Sequence, residues 1–166
     1  LHFFNPAPVM PLVEVVAAPA TAQETLDRAT AIVTAWGKVP VRCGDAPGFI
    51  VNRVNRPFTL EALAMLVTGV ATVDAIDAAI RSAGYPMGPF ELMDLIGIDV
   101  NLAAALGIYE RTRREGDPLA ARFRPSPIQE RLVAEGRLGR KTGAGFYVYG
   151  ADGRPAGPAQ DLSADT

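Results

Sequence analysis

The chain has 166 residues, 49% of them hydrophobic, and a formal net charge of −2. That is enough apolar material for a packed core, and it lacks the cationic excess of a general nucleic-acid-binding surface. No uninterrupted apolar stretch reaches membrane-spanning length, no secretory signal pattern is evident, and the single cysteine, Cys43, precludes an internal disulfide, so the expected setting is a reducing cytoplasm with neither membrane nor nucleic acid as partner.

Taken in order, Leu1 to Phe4 is a short apolar strand. It begins at the first residue, as a fragment of a longer protein would. Asn5-Pro6-Ala7-Pro8 and Pro11 form a loop that cannot continue a sheet ladder. Leu12 to Ala17 is a second strand, apolar except for Glu14. Thr21-Ala22-Gln23-Glu24 reads as a capping box opening a helix. Its face is Leu26, Ala29, Ile32, Val33 and Trp36, and Gly37 ends it. Val39 to Cys43 is a third strand.

From Pro47 onward the pattern is helical. Phe49, Ile50, Val54 and Phe58 recur at helical spacing, Leu60, Leu63 and Leu66 continue the apolar side, and Pro57 interrupts the helix interior. Asn52 falls near the edge of that stripe, where an amide can hold a carbonyl or hydroxyl, or can simply pack. Thr72 caps a helix carrying Val73, Ile76 and Ile80, closed by Gly84 and Pro86. Pro89 suits the first turn of the next helix, and Glu91 and Asp94 there suit helix-start electrostatics better than a catalytic carboxylate pair. Asp99 caps a helix through Leu102, Leu106 and Tyr109, and Ser126-Pro127 opens one through Ile128, Leu132 and Val133, ended by Gly136. Phe146 to Tyr149 is extended, and 150–166, rich in Gly, Pro, Ala and Asp, reads as a flexible tail or linker.

The chemistry-bearing residues are few. His2 is the only histidine, and a neutral imidazole can take a proton near physiological pH. Glu14 stands in Leu-Val-Glu-Val-Val, where burial without a partner would be costly. The connecting loop is short enough to bring these two side chains together, the alternative being an exposed histidine and a solvent-facing glutamate. One His and one Cys, 41 residues apart, offer no metal-ligand spacing. No Gly-x-Gly-x-x-Gly follows a strand, so the usual pyrophosphate-binding turn is not in this sequence, and Gly143-Ala144-Gly145 lacks that context.

Four blocks in order, His2-Phe3-Phe4-Asn5-Pro6, Asp45-Ala46-Pro47-Gly48-Phe49-Ile50-Val51-Asn52-Arg53, Gly84-Tyr85-Pro86-Met87-Gly88-Pro89-Phe90-Glu91-Leu92 and Gly139-Arg140-Lys141-Thr142-Gly143-Ala144-Gly145-Phe146-Tyr147, resemble the L-3-hydroxyacyl-CoA dehydrogenases. The resemblance covers about residues 1–150. It implies a mainly α fold: a helical C-terminal domain of that family's type, preceded by the closing β-β-α-β portion of a Rossmann-like domain. The expected division is 1–46 for the remnant of the dinucleotide-binding domain, 47–150 for the helical substrate-binding and dimerisation domain, and 151–166 for the tail.

By the same resemblance the parent enzyme oxidises a (3S)-3-hydroxyacyl-CoA to the 3-oxoacyl-CoA with NAD, in fatty-acid β-oxidation or a related route. His2 matches the family's catalytic histidine and Glu14 the acid that orients it. Asn5 and Asn52 match active-site amides, Asn52 near the substrate carbonyl, and Lys141 matches a lysine that contacts the cofactor. Family helical domains pair, so a homodimer is expected. Leu60, Leu63, Met65, Leu66 and Val67 surround their helix and point the same way. Segments 51–57 and 94–101 look most like the phenylacetate-degradation branch acting on 3-hydroxyadipyl-CoA. Arg53 or Arg56 is then the candidate for a distal carboxylate, with a solvated helix position as the alternative. The isolated chain, lacking the glycine-rich turn, is expected to bind NAD weakly and to be inactive. The competing reading is a non-catalytic helical dimerisation module.

Overall fold

The apolar run Leu12-Val13-Glu14-Val15-Val16-Ala17 is rich in β-branched residues, which favour extended backbone, and it forms the central strand of a small sheet. A computed structural model of the chain describes residues 1–162. In it β1 (His2–Phe3) pairs antiparallel with β2 (Leu12–Ala17), and β3 (Val39–Gly44) pairs parallel with β2 on its other side. The parallel pair needs a crossover, supplied by α1 (Gln23–Ala35), which lies against β2 and β3. Val13, Val15 and Val33 are buried. Lys38 Nζ donates to the carbonyls of Ala7 and Met10 at 2.7 and 2.9 Å and so pins the proline-rich loop between β1 and β2.

Two expectations for this part fail on local geometry. The Thr21 hydroxyl does not cap α1, which starts one residue later behind Ala22. It accepts a bond from the Ala18 amide at 3.1 Å and closes the preceding turn. Trp36 is 56% exposed: α1 ends at Ala35, and the indole lies beside the ring of the edge residue Phe3, centroids 6.3 Å apart.

The chain divides into two units, Leu1–Val54 and a second beginning at Asn55. The long helix α2 (Val51–Val67) starts in the first and continues in the second. It opens four residues after Pro47, because Pro47 and Gly48 occupy a turn closed by the Phe49 amide donating to the Ala46 carbonyl at 2.9 Å. Val54, expected on the buried stripe, is 73% exposed. Pro57 lies inside α2 and leaves the Arg53 carbonyl without its usual helical donor.

The second unit is mainly α: the rest of α2, then α3 (Val73–Ser82), α4 (Pro89–Ile96), α5 (Ile98–Arg114) and α6 (Pro127–Ala134), closed by the hairpin β4 (Tyr147–Tyr149) and β5 (Pro155–Pro158). Its core gathers Leu60, Leu63 and Leu66 with Phe90, Met93, Ile98, Leu132 and Phe146. Leu60, Leu63 and Leu66 thus face their own unit, and of the five residues expected to surround α2 only Met65 stands out. The stretch expected to be a flexible tail is folded through residue 162: β5 pairs with β4, and Leu162 is buried in the core. Residues 163–166 lie outside the described residues.

Two buried carboxylates fasten these helices. Asp77 of α3 accepts the amides of Phe90 and Glu91, both at 3.0 Å, and the Tyr147 hydroxyl at 2.9 Å, so it caps α4 from the neighbouring helix. Asp94 of α4 accepts the Phe146 and Tyr147 amides at 3.0 and 2.9 Å and the Tyr149 hydroxyl at 2.9 Å. Asp94 therefore serves the β4 segment rather than helix-start electrostatics. Glu91 does serve the helix start, accepting the Gly88 amide at 2.9 Å and pairing with Arg81. Burial raises both aspartates above the ordinary carboxylate range, while their donors pull the other way. The helix expected behind an Asp99 cap begins two residues earlier, at Ile98 behind Gly97, and Leu106 lies at the protein surface.

The glycines around these carboxylates are spatial requirements. A Cβ on Gly145 would stand 2.1 Å from Asp94 Oδ1, and one on Gly88 2.2 Å from Asp77 Cγ. Gly145→Ala should therefore cost about 2–4 kcal/mol through overpacking and broken bonds to a buried carboxylate. Gly107→Ala, in α5 with nothing within 4 Å of the added carbon, should be neutral or stabilise by up to about 1 kcal/mol. Urea unfolding of both variants checks this, and equal midpoints would refute the steric account.

Candidate active site

The register of the first two strands sets His2 opposite Glu14. Directly opposed residues of an antiparallel pair project to the same face, so their side chains meet. His2 Nδ1 lies 2.7 Å from Glu14 Oε2. An ionised carboxylate can only accept, so Nδ1 carries the proton and Nε2 presents a lone pair. His2 is about one-third exposed and Glu14 fully buried. The imidazole is thus open to solvent while its carboxylate partner is sealed in.

Glu14 is not left with one partner. Its second oxygen, Oε1, accepts the backbone amides of Ile50 and Val51, both at 2.9 Å. These are orphan donors at the entry to α2, where the helix dipole also favours negative charge. One carboxylate thereby orients the imidazole and caps the helix. The tight entry makes this possible: Gly48 and Phe49 both take positive φ, 74° and 46°. The glycine does so freely, whereas the phenylalanine gives up roughly 1–2 kcal/mol. The imidazole packs against two rings, Phe4 edge-on at 5.0 Å and Phe49 at 5.4 Å between centroids.

Asn52 follows in the first turn of α2, half-buried, with no hydrogen-bond partner for its amide among the described residues. Asn5 is exposed at the bend after β1 and joins Pro6 through a cis bond. Burial pushes the Cys43 thiol up, with Glu14 and Asp45 adding to it, which disfavours a thiolate nucleophile.

The remaining candidates lie elsewhere in function or in place. Lys141 belongs to the second unit, where Nζ is bound to both oxygens of Asp99 at 2.6 and 2.8 Å and holds that carboxyl below its usual range. Arg56 is neither solvated nor presented to a ligand. It is 6% exposed and donates through Nη1 to the carbonyl and side-chain oxygens of Asn101 at 3.2 and 2.9 Å. Arg53 is half-buried beside Asn52. Sequence reasoning missed the helix-capping half of Glu14, the Asp77 and Asp94 hubs and the Lys38 clamp. For the aspartates the available signal was a carboxylate at an otherwise apolar helical position.

Comparison with known proteins gives one consistent family over residues 1–149. Residues 1–46 match the model for the NAD binding domain of 3-hydroxyacyl-CoA dehydrogenase, and residues 48–149 match the C-terminal domain of the same enzyme. A 3-hydroxyadipyl-CoA dehydrogenase of Escherichia coli K12 is 52% identical over 153 residues, covering 92% of this chain and 31% of that protein. The mitochondrial hydroxyacyl-coenzyme A dehydrogenase of Sus scrofa is 48% identical over 150 residues, 90% of this chain and 46% of the relative. The crystal structure of an E. coli 3-hydroxybutyryl-CoA dehydrogenase superposes with a TM-score of 0.83 at 52% identity, over 89% of this chain and 30% of that one. The chain spans from about a third to about half the length of these relatives. With both family models in their expected order, this chain belongs to the 3-hydroxyacyl-CoA dehydrogenase family.

Proposed function

We propose that this chain carries the acid–base machinery of an NAD-dependent oxidoreductase that converts a (3S)-3-hydroxyacyl-CoA to the 3-oxoacyl-CoA. The observation that carries this reading is the His2 Nδ1 to Glu14 Oε2 bond of 2.7 Å, which leaves Nε2 as a proton acceptor. Nε2 takes the proton of the substrate 3-hydroxyl as the C3 hydrogen departs with its electron pair. The buried Glu14 carboxylate stabilises the resulting imidazolium. The Asn52 amide donates to the substrate oxygen as it becomes a carbonyl.

When bound, the nicotinamide supplies the hydride acceptor. The described residues give its pyrophosphate no glycine-rich turn: the loop from β2 into α1 is Ala18-Pro19-Ala20-Thr21-Ala22. We therefore read 1–46 as the closing β-β-α-β part of a Rossmann-like domain, contributing the base rather than the phosphate site. A cofactor contact by Lys141 would require its pair with Asp99 to open.

His2→Gln, in a protein that joins this chain to a complete NAD-binding domain, should lower turnover by about two to four orders of magnitude. Glu14→Gln should be nearly as damaging. The glutamine oxygen is claimed by the Ile50 and Val51 amides, so its NH₂ faces Nδ1 and drives the ring to the other tautomer. Because the two act as one unit, the double substitution should be little worse than His2→Gln alone. Multiplicative losses in steady-state kinetics would separate the residues and overturn the pairing.

For the substrate class, the similarity to a protein named 3-hydroxyadipyl-CoA dehydrogenase supports an acyl group with a distal carboxylate. Arg53, next to Asn52 in the first turn of α2, is the candidate to meet it. We expect kcat/KM on 3-hydroxyadipyl-CoA to exceed that on 3-hydroxybutyryl-CoA by about tenfold or more, the scale of one charged hydrogen bond, with Arg53→Gln narrowing the gap. Equal efficiency on the two substrates would remove the proposal.

We also infer a homodimer. The support is an exposed apolar set on α4 and α5, Leu95, Ile96, Val100 and Leu106, more than scattered surface residues explain. Light scattering should give twice the 17.6 kDa of the chain. A single 17.6 kDa species across micromolar concentrations would count against pairing.

A further inference from the structure

Two consecutive residues at the entry to α2 take the left-handed conformation, and only the first is a glycine. A bulky L-residue persists there where its surroundings over-determine it, and such outliers gather at functional sites. The surrounding bonds are specific. The Phe49 amide donates to the Ala46 carbonyl, and the next two amides end on Glu14 Oε1. Glycine would satisfy that backbone with less strain, so the side chain supplies what glycine lacks. The Phe49 ring lies 5.4 Å from the His2 ring at 58°, while Phe4 meets it edge-on at 5.0 Å and 74°. The Glu14 bond fixes only one atom of the imidazole. It does not by itself stop the ring from swinging about that contact, and the His2 side chain is one-third exposed to competing water.

We propose that Phe49 is a positioning residue for His2: with Phe4 it holds the imidazole in the plane that keeps the Nδ1 proton on Glu14 and leaves Nε2 as the free acceptor. This rests on the reading of His2 as the proton acceptor. The strained backbone and the ring contact are then one device. The left-handed turn aims two amides at Glu14 and the Phe49 ring at the imidazole that Glu14 holds.

His2 is the only histidine, so the imidazole nitrogen spectrum of the intact chain reports one site. At a pH above the imidazole range the unsubstituted chain should show a single tautomer, Nδ1 protonated, with slow proton exchange. Phe49→Gly should keep the Ile50 and Val51 amides protected, yet mix the tautomers and speed Nδ1 proton exchange by about tenfold or more, as local opening becomes easier. Phe49→Leu, which keeps a side chain but no aromatic face, should do the same, and Phe49→Tyr should restore the parent spectrum. If Phe49→Gly fails to fold, Phe49→Leu carries the test alone. A parent-like tautomer and exchange rate in Phe49→Leu would overturn the proposal, because apolar filling would then suffice. Failure of His2→Gln to lower turnover would instead remove the catalytic reading and leave this spectroscopic result standing.

Discussion

A glutamate with no solvent exposure organises the first unit. Burying a carboxylate alone would cost several kcal/mol, and here three donors meet it: two amides at the entry to α2 and one imidazole nitrogen. The constraint acts in both directions. The strand register must place His2 opposite Glu14, and the chain after β3 must turn sharply enough to aim two consecutive amides back at β2. The Pro47-Gly48 turn and the left-handed Phe49 meet the second demand. The Lys38 clamp on the β1–β2 loop serves the first. The histidine is thereby presented by a network whose other members are almost all backbone or buried.

The second unit repeats the device twice without a histidine. Asp77 and Asp94 each gather two backbone amides and a tyrosine hydroxyl, and neither forms an ion pair among the described residues. Burial raises Tyr147 and Tyr149 as well, so both phenols remain donors to their aspartates at neutral pH. A carboxylate that accepts from amides on a distant segment joins two pieces of chain with a directional, low-dielectric contact. Such contacts suit a helical unit whose closing hairpin is too short to hold itself. The glycines at 88 and 145 follow from this: the backbone must come closer to each aspartate than a Cβ permits.

The periodic features were legible from sequence. An apolar, β-branched run marked the β2 strand, helical spacing and cap residues marked α2 through α6, and the pairing of Glu14 with His2 was one of two readings of the residues, favoured by the family resemblance. What escaped reading depends on partners distant in sequence. Asp77 caps a helix to which it does not belong, so no local cap motif announces it. The Gly-, Pro- and Ala-rich stretch after Tyr149 has a flexible composition, yet it pairs with β4 and ends in the buried Leu162. Local polarity cannot report a strand whose stability comes from its neighbour. Arg56 is the sharpest case. An arginine one turn beyond the half-buried Asn52 invites a role in binding, but it is enclosed with Asn101 and Gln129, both buried.

Helix α2 is held in two different ways along its length, and that division bears on the chemistry. Its first turn carries Asn52 and is fixed by Glu14 through bonds to the backbone. Its later turns are fixed by Leu60, Leu63 and Leu66 in an apolar core. Between them the chain divides at Val54 and Asn55, and Pro57 removes the helical donor that would have reached back to Arg53. A substitution in the leucine core therefore acts on stability without a direct bond to the site. A change at Glu14 reaches imidazole and helix entry together. The fold thus confines the precise geometry to a short stretch of backbone and a single carboxylate, and leaves the rest of the helix to packing that tolerates adjustment.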